Sequence, residues 1–102
     1  MVYFTNMKAS LVRYEKFIVR RRYIIEITVH QVLQSPRYPD GLKWGLICFD
    51  RKSKKRVLFD NHHPKGPHFH LNEQELPYTF VDLDRLVEDF KEKVLKHMGV
   101  RL

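Results

Sequence analysis

Residues 23–33, Tyr-Ile-Ile-Glu-Ile-Thr-Val-His-Gln-Val-Leu, decide the fold because they carry the clearest structural pattern in the chain. Apolar residues at positions 25, 27 and 29 alternate with polar residues at positions 26, 28 and 30. A period of two is typical of a strand with one buried face and one face turned to solvent. The pattern therefore predicts a half-buried strand over residues 23–34.

Several neighbouring segments also have the composition of strands. Residues 9–19 are rich in β-branched and aromatic residues and end at three consecutive arginines. Residues 43–50 and 55–60 are short apolar runs on either side of a basic turn, which is typical of two paired antiparallel strands. Residues 61–77 contain three prolines and one glycine, and they predict an irregular excursion with one further short strand over residues 67–71.

The apolar period changes near the C-terminus. There the spacing is three or four residues, which predicts an amphipathic helix over residues 82–98. Asp82 and Asp84 at its start and Gly99 after its end are typical of helix termini. Together these segments predict an α+β fold, with an antiparallel β-meander of about four strands and one C-terminal helix packed on the sheet. The apolar stripe of the helix consists of Leu83, Leu86, Val87, Phe90, Val94 and Met98.

Length and composition limit the class of protein. A chain of 102 residues has room for one domain. Its 43% apolar content is too high for a disordered polybasic tail, and no apolar run is long enough for a membrane span. Residues 1–8 lack the apolar stretch of a signal peptide, and Cys48 lies in an apolar run typical of a core. We expect a cytoplasmic protein without a disulfide.

The positive charge is concentrated in the first half of the chain. The net charge is +7, but residues 1–56 hold 13 Lys and Arg against 4 acids, whereas residues 71–102 hold 5 against 7. Such a field favours an anionic partner, either a nucleic acid or an acidic protein. We predict that the basic residues around two turns bind an RNA backbone: Arg20, Arg21, Arg22, Lys43, Arg51, Lys52, Lys54, Lys55 and Arg56.

The least ordinary stretch is residues 60–70, which hold four of the six histidines. In an extended segment His68 and His70 point to the same side, because side chains two apart share a face. Three interpretations stay open here. The histidines could be exposed loop residues without a task, they could bind zinc or a related metal together with Asp60, or they could act as acid and base on a phosphodiester.

Cleavage of RNA without a metal needs a base for the 2′-hydroxyl proton, a cation near the phosphate and an acid for the leaving oxygen. Two histidines and a lysine can supply these groups, since imidazole has a free pKa of about 6.5. Aromatic residues such as Trp44 or Tyr78 could stack unpaired bases, although core packing is their commoner role. From residue chemistry alone, nuclease activity and passive polyanion binding are about equally favoured, and metal binding ranks third.

The histidine cluster also resembles a known family. Asp60-Asn61, Lys65-Gly66, His68-x-His70 and a later Pro77-Tyr78-x-Phe80, followed by an amphipathic helix, are similar to the TumE-like toxins. This resemblance covers roughly residues 10–98. It implies the toxin half of a type II toxin-antitoxin pair, with a helix-turn-helix antitoxin and a presumed RNA-cleaving activity. The positions that inherit the family pattern are Asp60, Asn61, Lys65, Gly66, His68 and His70, with His62 and His63 beside them.

The resulting hypothesis is a metal-independent endoribonuclease toxin without a cofactor. His68 and His70 form the acid/base pair, Lys65 stabilises the phosphate and Asp60 orients an imidazole. The competing hypothesis is a non-catalytic nucleic-acid or protein-binding module whose histidines bind metal or nothing. An exposed sheet edge could also pair two copies into a homodimer. The supporting residues of the predicted site are Asn61, His62, His63, Gly66 and Tyr78.

Overall fold

The chain folds as one antiparallel sheet followed by a helix in a computed structural model that describes residues 9–102. Residues 1–8, on which the expectation about a signal peptide rests, lie outside the described residues. The elements are β1 Ser10–Val19, β2 Tyr23–Gln31, β3 Leu42–Asp50, β4 Arg56–Asp60, β5 His68–Leu71, β6 Gln74–Pro77 and α1 Leu83–Met98.

The sheet is a simple meander, because each strand pairs with the next one along the chain. Directly opposed residues of an antiparallel pair share a face of the sheet. The register therefore determines which side chains meet on each side. In β4 and β5, Phe59 lies opposite Phe69 on one face, and Asp60 lies opposite His68 on the other.

The helix covers one face of this sheet and creates the core. The alternation in β2 is confirmed, since Ile25, Ile27 and Val29 are almost fully buried while the intervening residues are half-buried. Aromatic rings dominate the centre, where Phe59 contacts Phe90 of α1 edge to face with ring centroids 5.9 Å apart. The buried apolar residues of the helix are Leu86, Val87, Phe90 and Val94.

The predicted helix termini are confirmed. Asp82 is the N-cap, and its carboxylate accepts a hydrogen bond from the backbone N–H of Arg85 at 2.8 Å. Gly99 adopts the left-handed conformation with φ of 71°, and its N–H donates to the carbonyl of Leu95. The helix is thus stopped at both ends by local interactions that the sequence encodes.

The predicted number of strands was too low, because residues 9–102 form a sheet of six strands rather than about four. The strand predicted over residues 67–71 is present as β5, and β6 follows it after a two-residue turn. Residues 74–77, Gln-Glu-Leu-Pro, contain no β-branched residue and end in a proline. Because β6 is an edge strand, it tolerates the proline and is held by pairing with β5 rather than by its own propensity.

Cys48 lies in the core. It is fully buried, as predicted, and burial raises the pKa of its thiol to about 11. Such a thiol is a packing residue rather than a nucleophile. Over residues 9–102, none of the helical structure has the length and apolarity that a membrane span requires.

Replacement of Phe90 tests the role of the helix in the core. Phe90 is 0% exposed, and Phe90→Ala would remove its contact with Phe59 and leave a cavity. We expect a loss of about 3–5 kcal/mol in the free energy of unfolding, measured by urea denaturation. The control Glu88→Ala, on the exposed side of α1, should change it by less than about 0.5 kcal/mol. Equal effects of the two variants would contradict this packing.

Candidate functional site on the open face of the sheet

The face of the sheet opposite α1 has no layer packed on it within the described residues. Its side chains in β2 and β3 are half-buried or exposed, whereas the alternate residues of the same strands are almost all buried. We call this surface the open face. It collects the polar residues of three neighbouring strands, namely Arg56 and Asp60 of β4, His68 and His70 of β5, and Glu75 of β6.

Asp60 and His68 form the centre of the site. Nε2 of His68 lies 3.3 Å from Oδ1 of Asp60, and Nδ1 lies 2.7 Å from the carbonyl oxygen of Gly66. A carbonyl oxygen can only accept, so Nδ1 carries a hydrogen. His68 is 6% exposed, and its buried ring is oriented by the Gly66 carbonyl at Nδ1 and lies beside the Asp60 carboxylate at Nε2.

His70 lies beside this pair but in a different electrostatic setting. Its ring is 4.9 Å from the His68 ring, measured between centroids, and its Nε2 is 3.9 Å from Oε1 of Glu75. Burial lowers the pKa of His70 below 6.5, and the positive charges of Arg56 and His68 lower it further. At neutral pH this shift favours the neutral form of the His70 ring, which is the form that can accept a proton.

Lys65 reaches the site through Glu75. Its Nζ lies 2.7 Å from Oε1 of Glu75, while 58% of its side chain is exposed. This hydrogen bond is the main cause of the lowered pKa of Glu75. The loop 61–67 thus places a cation at the margin of the open face, where it remains accessible to solvent and to an anionic ligand.

Glu75 is a site residue that the sequence reasoning missed, because β6 was not predicted. It lies directly opposite His70 in the β5–β6 pair and contacts both Lys65 and His70. A signal was present in Asn72, which has a positive φ of 59° in the turn. Asparagine at such a position is typical of a two-residue hairpin turn. Reading Asn72 in this way would have predicted β6 and placed Glu75 next to the histidines.

Asn61 and Tyr78, two of the predicted supporting residues, make structural contacts away from the imidazoles. The amide oxygen of Asn61 accepts from the N–H of Trp44, and its NH₂ group donates to the carbonyl of Leu42, so it joins β3 to the end of β4. Tyr78 packs against Phe59 and donates its hydroxyl to Asp89 at 2.6 Å, and burial raises the pKa of that hydroxyl. Neither side chain reaches the His68–His70 pair in this arrangement.

The histidines at 62 and 63 are both exposed. The backbone N–H of His62 donates to Oδ1 of Asp60 at 3.1 Å, which links this part of the loop to the site. His63 lies next to Tyr38, whose hydroxyl oxygen is 3.4 Å from its backbone nitrogen. Of the other residues considered for base stacking, Trp44 is 3% exposed and stacks on Phe80, so its ring belongs to the core.

The two basic turns are neighbours at one end of the sheet. The N–H of Arg51 donates to the carbonyl of Arg22 at 3.0 Å, which joins the β3–β4 turn to the β1–β2 turn. Arg22 itself is engaged, because its guanidinium donates two 2.7 Å hydrogen bonds to the buried carboxylate of Asp50 and lowers the pKa of that group. The accessible cations of this surface are Arg20, Arg21, Arg51, Lys52, Lys54 and Lys55.

Arg56 connects the basic end with the histidines. It begins β4 on the open face, two residues before Leu58, which lies opposite His70. Its charge is one of the causes of the lowered pKa of His70. Lys43, in contrast, lies at the other end of the open face, opposite His30 of β2.

The same cluster has the geometry of a metal-binding group. One ligand atom each from Asp60, His68 and His70 can be chosen so that all three lie within 4.8 Å of one another. The Gly66 carbonyl fixes the Nδ1–H form of His68, which is how outer-shell acceptors commonly orient metal-binding histidines. Two imidazoles and a carboxylate suit zinc or another borderline divalent ion.

Comparison with protein families gives the class of the protein. Residues 3–98 match a family of toxins, so the match covers nearly the whole chain. The family is described as Toxin TumE, and the chain belongs to it. Membership of a toxin family implies a cognate antitoxin as partner. Comparison with curated proteins and with solved structures gives no match.

The electrostatics of the site predict opposite effects of two substitutions on His70. The charge of Arg56 lowers the pKa of His70 and that of Glu75 raises it. Arg56→Gln should therefore raise the pKa of His70, and Glu75→Gln should lower it further. Both values can be read from the pH dependence of the imidazole NMR signals. Shifts of the same sign at His70 in the two variants would contradict the arrangement.

Proposed function

We propose that this toxin is a metal-independent endoribonuclease whose reaction takes place on the open face of the sheet. The observation that carries the proposal is the placement of Asp60, His68 and His70 within 4.8 Å of one another on that face, with Arg56 and Lys65 at its margins. Two neighbouring imidazoles beside cations can supply the base, the acid and the phosphate contacts that phosphodiester cleavage without a metal requires, and the lowered pKa of His70 suits it to the role of base.

His70 acts as the base. Its neutral ring accepts the proton of a 2′-hydroxyl, and the 2′-oxygen then attacks the adjacent phosphorus. The bond between phosphorus and the 5′-oxygen of the next nucleotide breaks as this new bond forms. The products are a 2′,3′-cyclic phosphate and a 5′-hydroxyl. The lowered pKa of His70 keeps the base available at neutral pH.

His68 acts as the acid. In the proposed reaction the imidazolium form of His68 delivers its Nε2–H proton to the leaving 5′-oxygen, which takes the place of Asp60 as acceptor, while the Gly66 carbonyl keeps its contact with Nδ1. Asp60 orients the ring and stabilises its positive charge before the transfer. After the reaction His70 carries the extra proton and His68 is neutral. Exchange with water restores the starting state.

Lys65 and the basic turns supply the phosphate contacts. Lys65 is exposed, and a phosphate can replace Glu75 as the partner of its ammonium group. Arg56 lies between the reacting residues and the basic turns. The span from Arg56 to Asp60 is four residues of β4, roughly 13 Å. An RNA strand bound along this line keeps its backbone near cations while one phosphate reaches His70 and His68.

The partner and location follow from the same proposal. We infer that the antitoxin is a helix-turn-helix protein and that the toxin acts on RNA in the cytoplasm. A homodimer would pair the open edge of β1 with the same edge of a second copy. Within residues 9–102 that edge has no partner strand, and it exposes several apolar residues, namely Leu11, Val12, Tyr14 and Ile18.

Expression of site variants without antitoxin tests the proposed reaction. His70→Ala and Lys65→Ala should relieve growth arrest, because they remove the base and a phosphate contact. Purified His70→Ala should cleave RNA about 10²- to 10⁴-fold more slowly than the unaltered protein. The matched controls His97→Ala and Lys96→Ala change exposed residues of α1 and should remain toxic and active.

Two results would contradict the nuclease assignment. If folded His70→Ala arrests growth as strongly as the unaltered toxin, the site is wrong. If growth stops while cellular RNA stays intact, the reaction is wrong. His68 is buried, so a His68→Gln variant needs a circular dichroism spectrum and a thermal midpoint close to those of the unaltered protein before its activity is compared.

A metal-binding function is the second candidate, favoured by the three ligand atoms of Asp60, His68 and His70. Elemental analysis of protein purified without chelator separates the two candidates. The proposed nuclease should contain far less than one zinc per chain and should cleave RNA equally well in EDTA. One equivalent of zinc that disappears in His70→Ala and persists in His97→Ala would reverse the ranking of the two functions.

A further inference from the structure

Gly45 occupies an unusual position for a glycine. It lies in the interior of β3 and is paired on both sides, with Thr28 of β2 and with Asp60 of β4. Glycine weakens a strand at such a place, since it has no side chain to pack and has much conformational freedom to lose on folding. Gly45 therefore lowers the stability of β3 at the position opposite Asp60, next to the centre of the site.

The fold gives no internal reason for this glycine. Its φ lies outside the left-handed region, so an ordinary residue could adopt the same backbone conformation. Among residues 9–102, a Cβ at position 45 would meet no heavy atom within 4 Å, so none of these neighbours requires the space. The register is also unbroken through Gly45 on both sides, so the glycine does not mark a bulge, and the close approach of a ligand remains as a common reason for a glycine within a strand.

The missing side chain opens a recess on the open face. Its volume is about 370 Å³, and its lining includes Thr28, His30, Lys43, Asp60 and His62. This size falls in the range of about 300–1,000 Å³ that is typical of ligand pockets. The lining offers a hydroxyl, two imidazoles, an ammonium group and a carboxylate. Such a set can both donate hydrogen bonds to the edge of a nucleobase and accept them.

The recess lies next to the reacting residues. Asp60 is opposed by Gly45 on one side and by His68 on the other, so the recess and His68 are separated by two strand spacings, roughly 10 Å. A group bound at Gly45 is therefore a neighbour of the scissile phosphate rather than the reacting group itself. Lys43 lies two residues along the same strand, where it can contact the following phosphate.

We propose that the Gly45 recess binds one unpaired base of the RNA substrate, next to the bond that is cleaved, and that it determines the sequence preference of the toxin. This inference rests on the proposed nuclease function and adds to it a subsite with a defined ligand. Recognition there depends on hydrogen bonds to the base edge rather than on stacking on Trp44, because the ring of this lining residue is 3% exposed and is covered by Tyr78 and Phe80.

Filling the recess tests the proposal without changing any charge or histidine. Gly45→Ala and Gly45→Val add one and three carbon atoms at a place where nothing obstructs them. The β-branched valine is favoured in strands, so thermal stability should be unchanged or higher. Binding of a single-stranded RNA with a 2′-deoxy nucleotide at the cleavage position should weaken in graded fashion, by about tenfold or more for Gly45→Val, measured by fluorescence anisotropy.

A separate measurement tests Lys43. Lys43→Gln should weaken binding of the same oligonucleotide and reduce the slope of log K against log salt concentration by about 0.7, the value for one phosphate contact in single strands. The control Lys96→Gln on α1 should leave the slope unchanged. A change at both positions would indicate a general charge effect and would overturn the assignment of Lys43.

The outcomes separate the recess from the reaction. Unaltered binding, rate and cleavage pattern in both folded Gly45 variants would overturn the recess, and the nuclease would stand if His70→Ala is inactive. Active His70→Ala would overturn the proposed reaction. Support for the recess is weaker binding in the Gly45 variants while His70→Ala binds the oligonucleotide normally but does not cleave its ribose counterpart. Loss of thermal stability in both Gly45 variants would also count against the recess, since it would reveal a packing role for the glycine.

Discussion

The stacked pair of Phe59 and Phe69 fixes the register on which the site depends. The two rings lie opposite each other in β4 and β5, with centroids 4.9 Å apart and planes 16° apart. Successive side chains of a strand point to opposite faces, so this register places Asp60 opposite His68 on the open face. A slip of one residue would bury the polar pair under α1 and expose the phenylalanines. Burial of Phe59 and Phe69 thus positions the neighbouring polar residues Asp60 and His68 on the opposite face.

That dependence explains which features the sequence could predict. The period of two in β2 and the helical stripe before Gly99 each reflect burial of one face, and both were found from local spacing. The common face of His68 and His70 followed from the same rule. The contribution of Glu75 could not be predicted from that rule, because β6 has little strand propensity and is held by its partner β5. Local sequence patterns do not show contacts that arise from the pairing of strands. For β6 the only local signal was Asn72 in the turn that precedes it.

The basic residues have different roles in the structure. Arg22 is tied to Asp50 by two hydrogen bonds and stabilises the junction of the two basic turns, which the net charge alone could not indicate. The remaining turn cations are exposed and can follow a polyanion. Arg56 does something different, since it stands on the open face and lowers the pKa of His70. The two basic turns therefore supply an internal ion pair and accessible cations, and Arg56 sets the electrostatic environment of His70.

The surrounding charge decides between the two ligands that the central cluster could accept. Asp60, His68 and His70 could bind a divalent cation, and the same atoms could transfer protons on a phosphate. A bound dication would lie close to Arg56 and Lys65, and their repulsion would oppose it, whereas both cations would stabilise a phosphate. Glu75 offsets part of this effect through its contact with Lys65. The charge therefore supports the proposed phosphate chemistry over metal binding, because Arg56 lowers the pKa of His70 and the same positive charge would attract an anionic substrate.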